Sequence, residues 1–129
     1  MKIHHIAIWC QDLERMRFFY ETYFDAVSNE KYINEKKQFQ SYFLKFEGEI
    51  SLELMQKVNI PANVNDVYEQ FTGLNHFAIA LGSEQAVNKM TEKLRNDGFE
   101  IIGEARWTGD GYYESVVFDP EKNRIEITI

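Results

Sequence analysis

A six-residue stretch that occurs twice constrains this chain more than anything else in it. His4-His5-Ile6-Ala7-Ile8-Trp9 returns as Asn75-His76-Phe77-Ala78-Ile79-Ala80, 71 residues later when His5 is matched to His76. Ser51-Leu52-Glu53-Leu54 is answered by Arg124-Ile125-Glu126-Ile127 at an offset of 73. A histidine strand and a glutamate strand repeated in the same order mark two copies of one supersecondary unit.

The periodicities fill in that unit. Around His5 the residues alternate, with Ile6 and Ile8 on one face and His5, Ala7 and Trp9 on the other, the signature of a strand with one apolar face. His4 shares parity with Ile6 and Ile8 and is expected to point toward the helix side or the strand edge. Asp12 offers an N-cap to an amphipathic helix carrying Leu13, Met16, Tyr20, Tyr23 and Phe24. Strands follow at 27–33, 40–46 and 50–55, so residues 1–56 read β-α-β-β-β. Residues 57–73, with Pro61 and little periodicity, read as a connector with room for one helical turn. Such a stretch serves as a lid, an exchanged arm or a plain linker. Residues 74–129 replay the first module: a strand at 75–81, a helix capped by Ser83 with Ala86, Val87, Met90 and Leu94 inward, a stop at Asp97-Gly98, and strands at 99–106, 112–118 and 124–129. The expectation is one α+β domain over 1–129 built from two βαβββ modules.

Composition narrows the setting. Net charge is −7, and no basic run stands out, which argues against a nucleic-acid partner. No apolar run approaches the roughly 20 residues of a membrane span, and the N-terminus enters a strand without a leader pattern. A soluble, cytoplasmic protein with a small-molecule substrate is the expectation. The single cysteine, Cys10, excludes an internal disulfide and a thiolate cluster, and reads as packing. Ten Phe, seven Tyr and two Trp suit strands and pocket walls, without separating the two.

The non-aliphatic faces of four strands each carry one residue able to bind a metal. On the last strand Ile125 and Ile127 face inward and Glu126 outward; on the strand at 50–55, Leu52 and Leu54 oppose Glu53. With His5 and His76 this makes two imidazoles and two carboxylates. Ala7, Ala78 and Ala80 accompany the histidines, as if that face needed room. Such a set, without sulfur, suits a divalent zinc, nickel, cobalt, manganese or iron ion with open water positions. Taken singly, each of these residues is a hydrogen-bonded strand histidine or a solvated carboxylate; the ordered repetition is what groups them.

His5-Ile6-Ala7-Ile8, Asp12-Leu13, Phe18-Phe19-Tyr20, Leu52-Glu53-Leu54, Asn75-His76-Phe77-Ala78-Ile79 and Phe118-Asp119-Pro120 with Asn123-Arg124-Ile125-Glu126 together resemble the vicinal oxygen chelate superfamily, on its glyoxalase and bleomycin-resistance side. The resemblance covers nearly the whole chain. It implies two βαβββ modules forming a cupped mixed sheet around a metal, completed in a homodimer, with His5, Glu53, His76 and Glu126 as metal ligands. Glyoxalase I has acidic residues at both carboxylate places, epimerases commonly have Gln at the first, and the dioxygenases and fosfomycin enzymes use three protein ligands. Glu53 therefore tilts the reading toward a glyoxalase I-like lyase or isomerase, a lactoylglutathione lyase-type enzyme. Its reaction would be proton transfer next to a carbonyl through a metal-bound enediolate, with Glu126 as base and Glu53 able to act on the opposite face. No basic cluster matches a glutathione-binding set. Two alternatives on the same fold are a non-catalytic small-molecule-binding or resistance protein and an iron-dependent extradiol-type dioxygenase. Arg106, Trp107, Tyr112 and Tyr113, around the turn at 109–111, and Tyr42 are the candidate substrate contacts, against the plainer reading that they pack strands or meet solvent.

Overall fold

A computed structural model describes residues 1–129. The chain divides into two compact units, Met1–Val64 and Asn65–Ile129, so the connector is shared between them. No helix forms in it, but single hydrogen-bonded turns close at 57–60 and 66–69, where the Ile60 N–H reaches the Lys57 carbonyl and the Glu69 N–H the Asp66 carbonyl. No helix of the protein is long and apolar enough to cross a membrane.

The first unit comprises β1 (His5–Trp9), α1 (Leu13–Phe24), β2 (Val27–Ser28), β3 (Tyr32–Asn34), β4 (Phe39–Lys45) and β5 (Ser51–Lys57). Its sheet runs β1-β5-β4-β2, with β3 also paired to β4, and is mixed because β1 and β5 are parallel. The expected strand at 27–33 is broken in two. Val27 and Ser28 pair with Lys45 and Leu44, but Tyr32 pairs with Ser41, leaving one residue in excess on the outer strand. Asn29 occupies the break: its backbone N–H donates to the Phe43 carbonyl at 3.0 Å, and its Oδ1 accepts from the Phe43 N–H at 2.8 Å. That local competition of an asparagine with the ladder is what ends β2.

Asp12 Oδ1 caps α1 by accepting from the Arg15 N–H, and Asp25 closes the helix in the left-handed region at φ 51°. Leu13, Met16, Phe19, Tyr20 and Phe24 are buried on one side of the helix, and Leu44, Leu52 and Leu54 are buried on the strands it packs against.

The second unit repeats the plan with β6 (His76–Ala80), α2 (Glu84–Asn96), β7 (Ile101–Trp107), β8 (Tyr113–Phe118) and β9 (Arg124–Thr128), in the sheet order β6-β9-β8-β7. Here β6 and β9 are the parallel pair. Strand β7 stays whole, with register shifts between Ile101 and Gly103 and between Gly103 and Arg106. A Cβ on Gly103 would stand 3.2 Å from the Val116 side chain, tighter than an ordinary contact, so a side chain there would have to displace Val116 by a few tenths of an ångström. Helix α2 begins at Ser83, whose Oγ accepts from the Ala86 N–H, and ends at Gly98, at φ 89°, where the Phe99 N–H reaches the Leu94 carbonyl. Its inward face is Val87, Thr91 and Leu94; Ala86 and Met90 are only half-buried. Thr91 is buried because its hydroxyl is satisfied twice, by the Val87 carbonyl and the Ser115 hydroxyl, each at 2.7 Å.

In both units the helix covers the face that carries the aliphatic residues. Leu54 is fully buried while its neighbour Glu53 lies on the other face. Leu54→Ala is therefore expected to lower stability by about 2–5 kcal/mol, and Glu53→Gln by less than about 1 kcal/mol, in urea denaturation of the metal-free protein.

Candidate metal centre

Strand pairing places the four sequence-singled residues. In the first unit Ala7 stands opposite Glu53, and His5 opposite Ser51, so His5 and Glu53 are diagonal neighbours on one face of two parallel strands. In the second unit Ala78 stands opposite Glu126 and His76 opposite Arg124, the same register. The methyl groups of Ala7 and Ala78 leave space over which each pair closes. His5 Nε2 lies 3.7 Å from Glu53 Oε2, and His76 Nε2 lies 3.3 Å from Glu126 Oε2. The carboxylates are mostly covered, with side-chain exposures of 15% and 17%, and the imidazoles more open at 39% and 41%. Neither pair has a third His, Cys, Asp or Glu gathered with it into a ligand set.

Each imidazole is held from behind. Asn75 Oδ1 lies 3.0 Å from His76 Nδ1. The amide nitrogen of Asn75 donates to Gln70 Oε1 at 3.5 Å, which turns its oxygen toward the ring. In the first unit His4 Nδ1 lies 2.9 Å from His5 Nδ1, with the two rings edge-on at 87°. His4 thus departs from its expected direction. It immediately precedes β1, and its carbonyl already accepts from the Ser51 N–H at 3.1 Å, so it is the side chain that turns onto the neighbouring ring.

These contacts bear on metal binding. A His76 ring that donates from Nδ1 to Asn75 and carries no second proton would turn an Nε2 lone pair toward the Glu126 carboxylate, and two electron-rich atoms facing each other are stabilised by a cation between them. A divalent ion bonded to a nitrogen and an oxygen at about 2.1 Å each holds those atoms roughly 3.0–3.4 Å apart. The second pair meets that spacing and the first is wider by a few tenths of an ångström. Each unit thus offers two donors, one imidazole and one carboxylate, of the kind such an ion takes.

The surroundings of the pairs include residues that sequence reasoning did not single out. Glu114 lies on β8 diagonal to Glu126, which stands opposite Val116. Burial, then the charge of Glu126 and a hydrogen bond with it, push the Glu114 carboxyl above its usual range. Arg106 Nη2 is 3.7 Å from Glu114 Oε1 and opposes that rise. The signal that finds Glu114 is cross-strand pairing on the Glu126 face, which needs the register of β8 against β9. In the first unit Phe43 stands opposite Glu53 and meets the His5 ring edge-on at 5.4 Å. Trp9, Phe39 and Tyr32 continue an aromatic row, with Trp9 to Phe39 and Tyr32 to Phe39 both 6.1 Å between centroids.

The five candidate substrate contacts are distributed differently from expectation. Arg106 pairs in register with Glu114 and so lies on the face of Glu126. Trp107 pairs with Tyr113, the two rings 5.5 Å apart, and the Tyr113 hydroxyl donates to Asn88 Oδ1 on α2, which puts both on the helix side. Tyr112 is exposed in the turn, where its backbone N–H donates to the Thr108 hydroxyl and its carbonyl accepts from the Thr108 N–H. Tyr42 pairs with Leu54 on the helix-covered face, buried, its hydroxyl donating to Glu14 Oε1 at 3.1 Å under the Arg17 guanidinium. Its role is to seat α1, which displaces it from the substrate contacts.

A turn built on a buried carboxylate launches β9. Asp119 accepts from the N–H groups of Glu121 and Asn123 and from the Asn123 side chain, and so fixes the entry of the strand that carries Glu126.

With the geometry in place, the comparisons are consistent with it. The family model described as the Glyoxalase/Bleomycin resistance protein/Dioxygenase superfamily matches residues 2–127, and the chain belongs to that superfamily. The Bacillus subtilis protein YqjT, itself uncharacterized, is 26% identical over 128 residues, covering 97% of this chain and 96% of that one. Among solved structures, glyoxalase I from Zea mays superposes with a TM-score of 0.80 at 24% identity, over 98% of this chain and 44% of the maize chain. The glyoxylase/bleomycin resistance protein/dioxygenase domain from Frankia sp. EAN1pec gives 0.82 at 14% identity, over 100% and 97%. At these identities the likeness is one of fold: an α+β architecture of mixed sheets with few helices.

The Tyr42 assignment has a pH-dependent consequence. The hydrogen bond from Lys31, with the Tyr42 hydroxyl adding to it, holds the Glu14 carboxyl below its ordinary range against the opposing effect of burial. A lowered carboxyl contributes stability that is complete above the unfolded-state value of about 4.3 and disappears as pH falls through the lower folded-state value. Glu14→Gln should therefore cost less than about 1 kcal/mol near neutral pH, since Glu14 is half-exposed. The difference from the unsubstituted protein should shrink steadily below about pH 4 in denaturation curves.

Proposed function

We propose that this protein is a divalent-metal-dependent, glyoxalase-like lyase or isomerase that moves a proton at a carbon next to a carbonyl. In this reading His5, Glu53, His76 and Glu126 together supply four ligands to one zinc, nickel, cobalt, manganese or iron ion, within one chain or across a homodimer. The observation that carries it is the repeated pair: an imidazole Nε2 and a carboxylate oxygen 3.7 and 3.3 Å apart, in the same strand register in both units. Membership of a superfamily that includes glyoxalase supports it.

A divalent ion held there supplies Lewis acidity to two neighbouring oxygens of the substrate. The chain's own residues do the rest. In this reading Glu126, mostly covered and beside Glu114, is the base that takes the α-proton, and Glu53 acts on the opposite face of the substrate. A carboxylate is in general a weak base for a carbon acid, so this step would need the Lewis acidity that a bound divalent ion would supply. Arg106, which shares the face of Glu126, is the one remaining candidate for a substrate contact among the five.

A second reading draws on the aromatic row beside His5. Trp9 and Tyr32 are 43% and 52% exposed on the face that carries Glu53, a surface suited to a planar apolar molecule held without turnover. The two readings separate in one assay. Metal-loaded protein incubated in deuterated water with a panel of α-hydroxycarbonyl compounds and thiol hemiacetals is expected to exchange or transfer the α-proton of at least one of them. Glu126→Gln should lower that rate by about 10²–10⁴. Binding without exchange across the panel supports the second reading, and unimpaired exchange in Glu126→Gln removes Glu126 from the mechanism.

A further inference from the structure

We propose that His4 and Asn75 are positioning residues: each holds the Nδ1–H of the histidine that follows it, fixing the tautomer that presents Nε2 to the neighbouring carboxylate. The two units reach this arrangement with different chemistry at the same place. Asn75 and His4 each immediately precede the first residue of the histidine strand, and each puts a hydrogen-bonding atom within 3.0 Å of Nδ1. The amide oxygen of Asn75 can only accept, so the proton between it and His76 belongs to His76 Nδ1. Gln70, accepting from the amide nitrogen of Asn75, keeps that amide from turning its nitrogen to the ring. In the first unit two Nδ1 atoms 2.9 Å apart share one proton. Placing it on His5 leaves His4 as the acceptor, protonated at Nε2.

Within a strand, successive side chains point to opposite faces and cannot reach one another. At the entry to each strand these two side chains nevertheless turn along their neighbours, as the Nδ1 contacts of 2.9 and 3.0 Å show. The ring is then held on one edge by the preceding residue while its other edge is directed across the sheet at Glu53 or Glu126. A histidine that keeps its second nitrogen occupied in this way binds metal in one orientation and with greater basicity. Asn75 and His4 thus stand behind the ligand nitrogens without touching substrate or ion.

The proposal rests on the metal reading above, and the experiment separates the two. Long-range ¹H–¹⁵N spectra of the metal-free protein, recorded where the imidazoles are neutral, report which nitrogen of each ring carries the proton. Expected are Nδ1–H tautomers for His5 and His76, conversion of His76 toward Nε2–H in Asn75→Ala, its retention in Asn75→Asp, and the corresponding change at His5 alone in His4→Ala. Competition with a chromophoric chelator should show zinc affinity falling by about 10- to 100-fold in Asn75→Ala and in His4→Ala, with Asn75→Asp close to the unsubstituted protein. An Nε2–H tautomer at His76 in the unsubstituted protein overturns the proposal, as do alanine variants with unchanged tautomers and unchanged zinc affinity. The expected tautomers together with no uptake of zinc, nickel or manganese support the positioning and contradict the metal reading.

Discussion

The site depends on the parallel pairing of the first strand of each unit with the last. Because β1 runs parallel to β5 with Ala7 opposite Glu53, and β6 parallel to β9 with Ala78 opposite Glu126, the histidine two residues before each alanine lands diagonal to the carboxylate. A slip of one residue would turn Glu53 or Glu126 into the helix contact and move Leu54 or Ile127 out of the core. The hydrophobic face therefore enforces the register, and the register delivers the pair. Fully buried Leu54, Ile125 and Ile127 secure a position that the polar residues between them use.

Each remaining element keeps that pairing in place. The helices cover the aliphatic faces, started by Asp12 and Ser83 and stopped by Asp25 and Gly98. The Asp119 turn sets where β9 begins. The outer strands absorb the irregularities, as a break at Asn29 in one unit and bulges around Gly103 in the other, away from the parallel strands. The irregularities thus fall at one end of each sheet and the regular parallel pair at the other.

What the sequence made legible follows from how local each signal is. Caps at Asp12 and Ser83 and the stop at Gly98 are set by residues within one turn, and strand parity around Glu53 and Glu126 is set by the nearest neighbours. The split of β2 from β3 and the bulges of β7 depend on an extra residue measured against a partner strand, which one strand does not display. Glu114 was missed for that reason, since its place beside Glu126 exists only across the β8 to β9 ladder. Tyr42 was assigned by its chemistry, when parity with Leu44 already put it under α1. His4 turns onto His5 at the entry to the strand, a side-chain contact that parity does not display.

Under the proposed function the two His and Glu pairs bind one ion, and equilibrium dialysis of the metal-free protein against nickel or zinc tests that proposal most directly, with His5→Ala and His76→Ala alongside. The account predicts one ion per chain in the unsubstituted protein and nearly none in either variant, because each removes a quarter of a single ligand set. Two ions per chain, with one retained after either substitution, would contradict it.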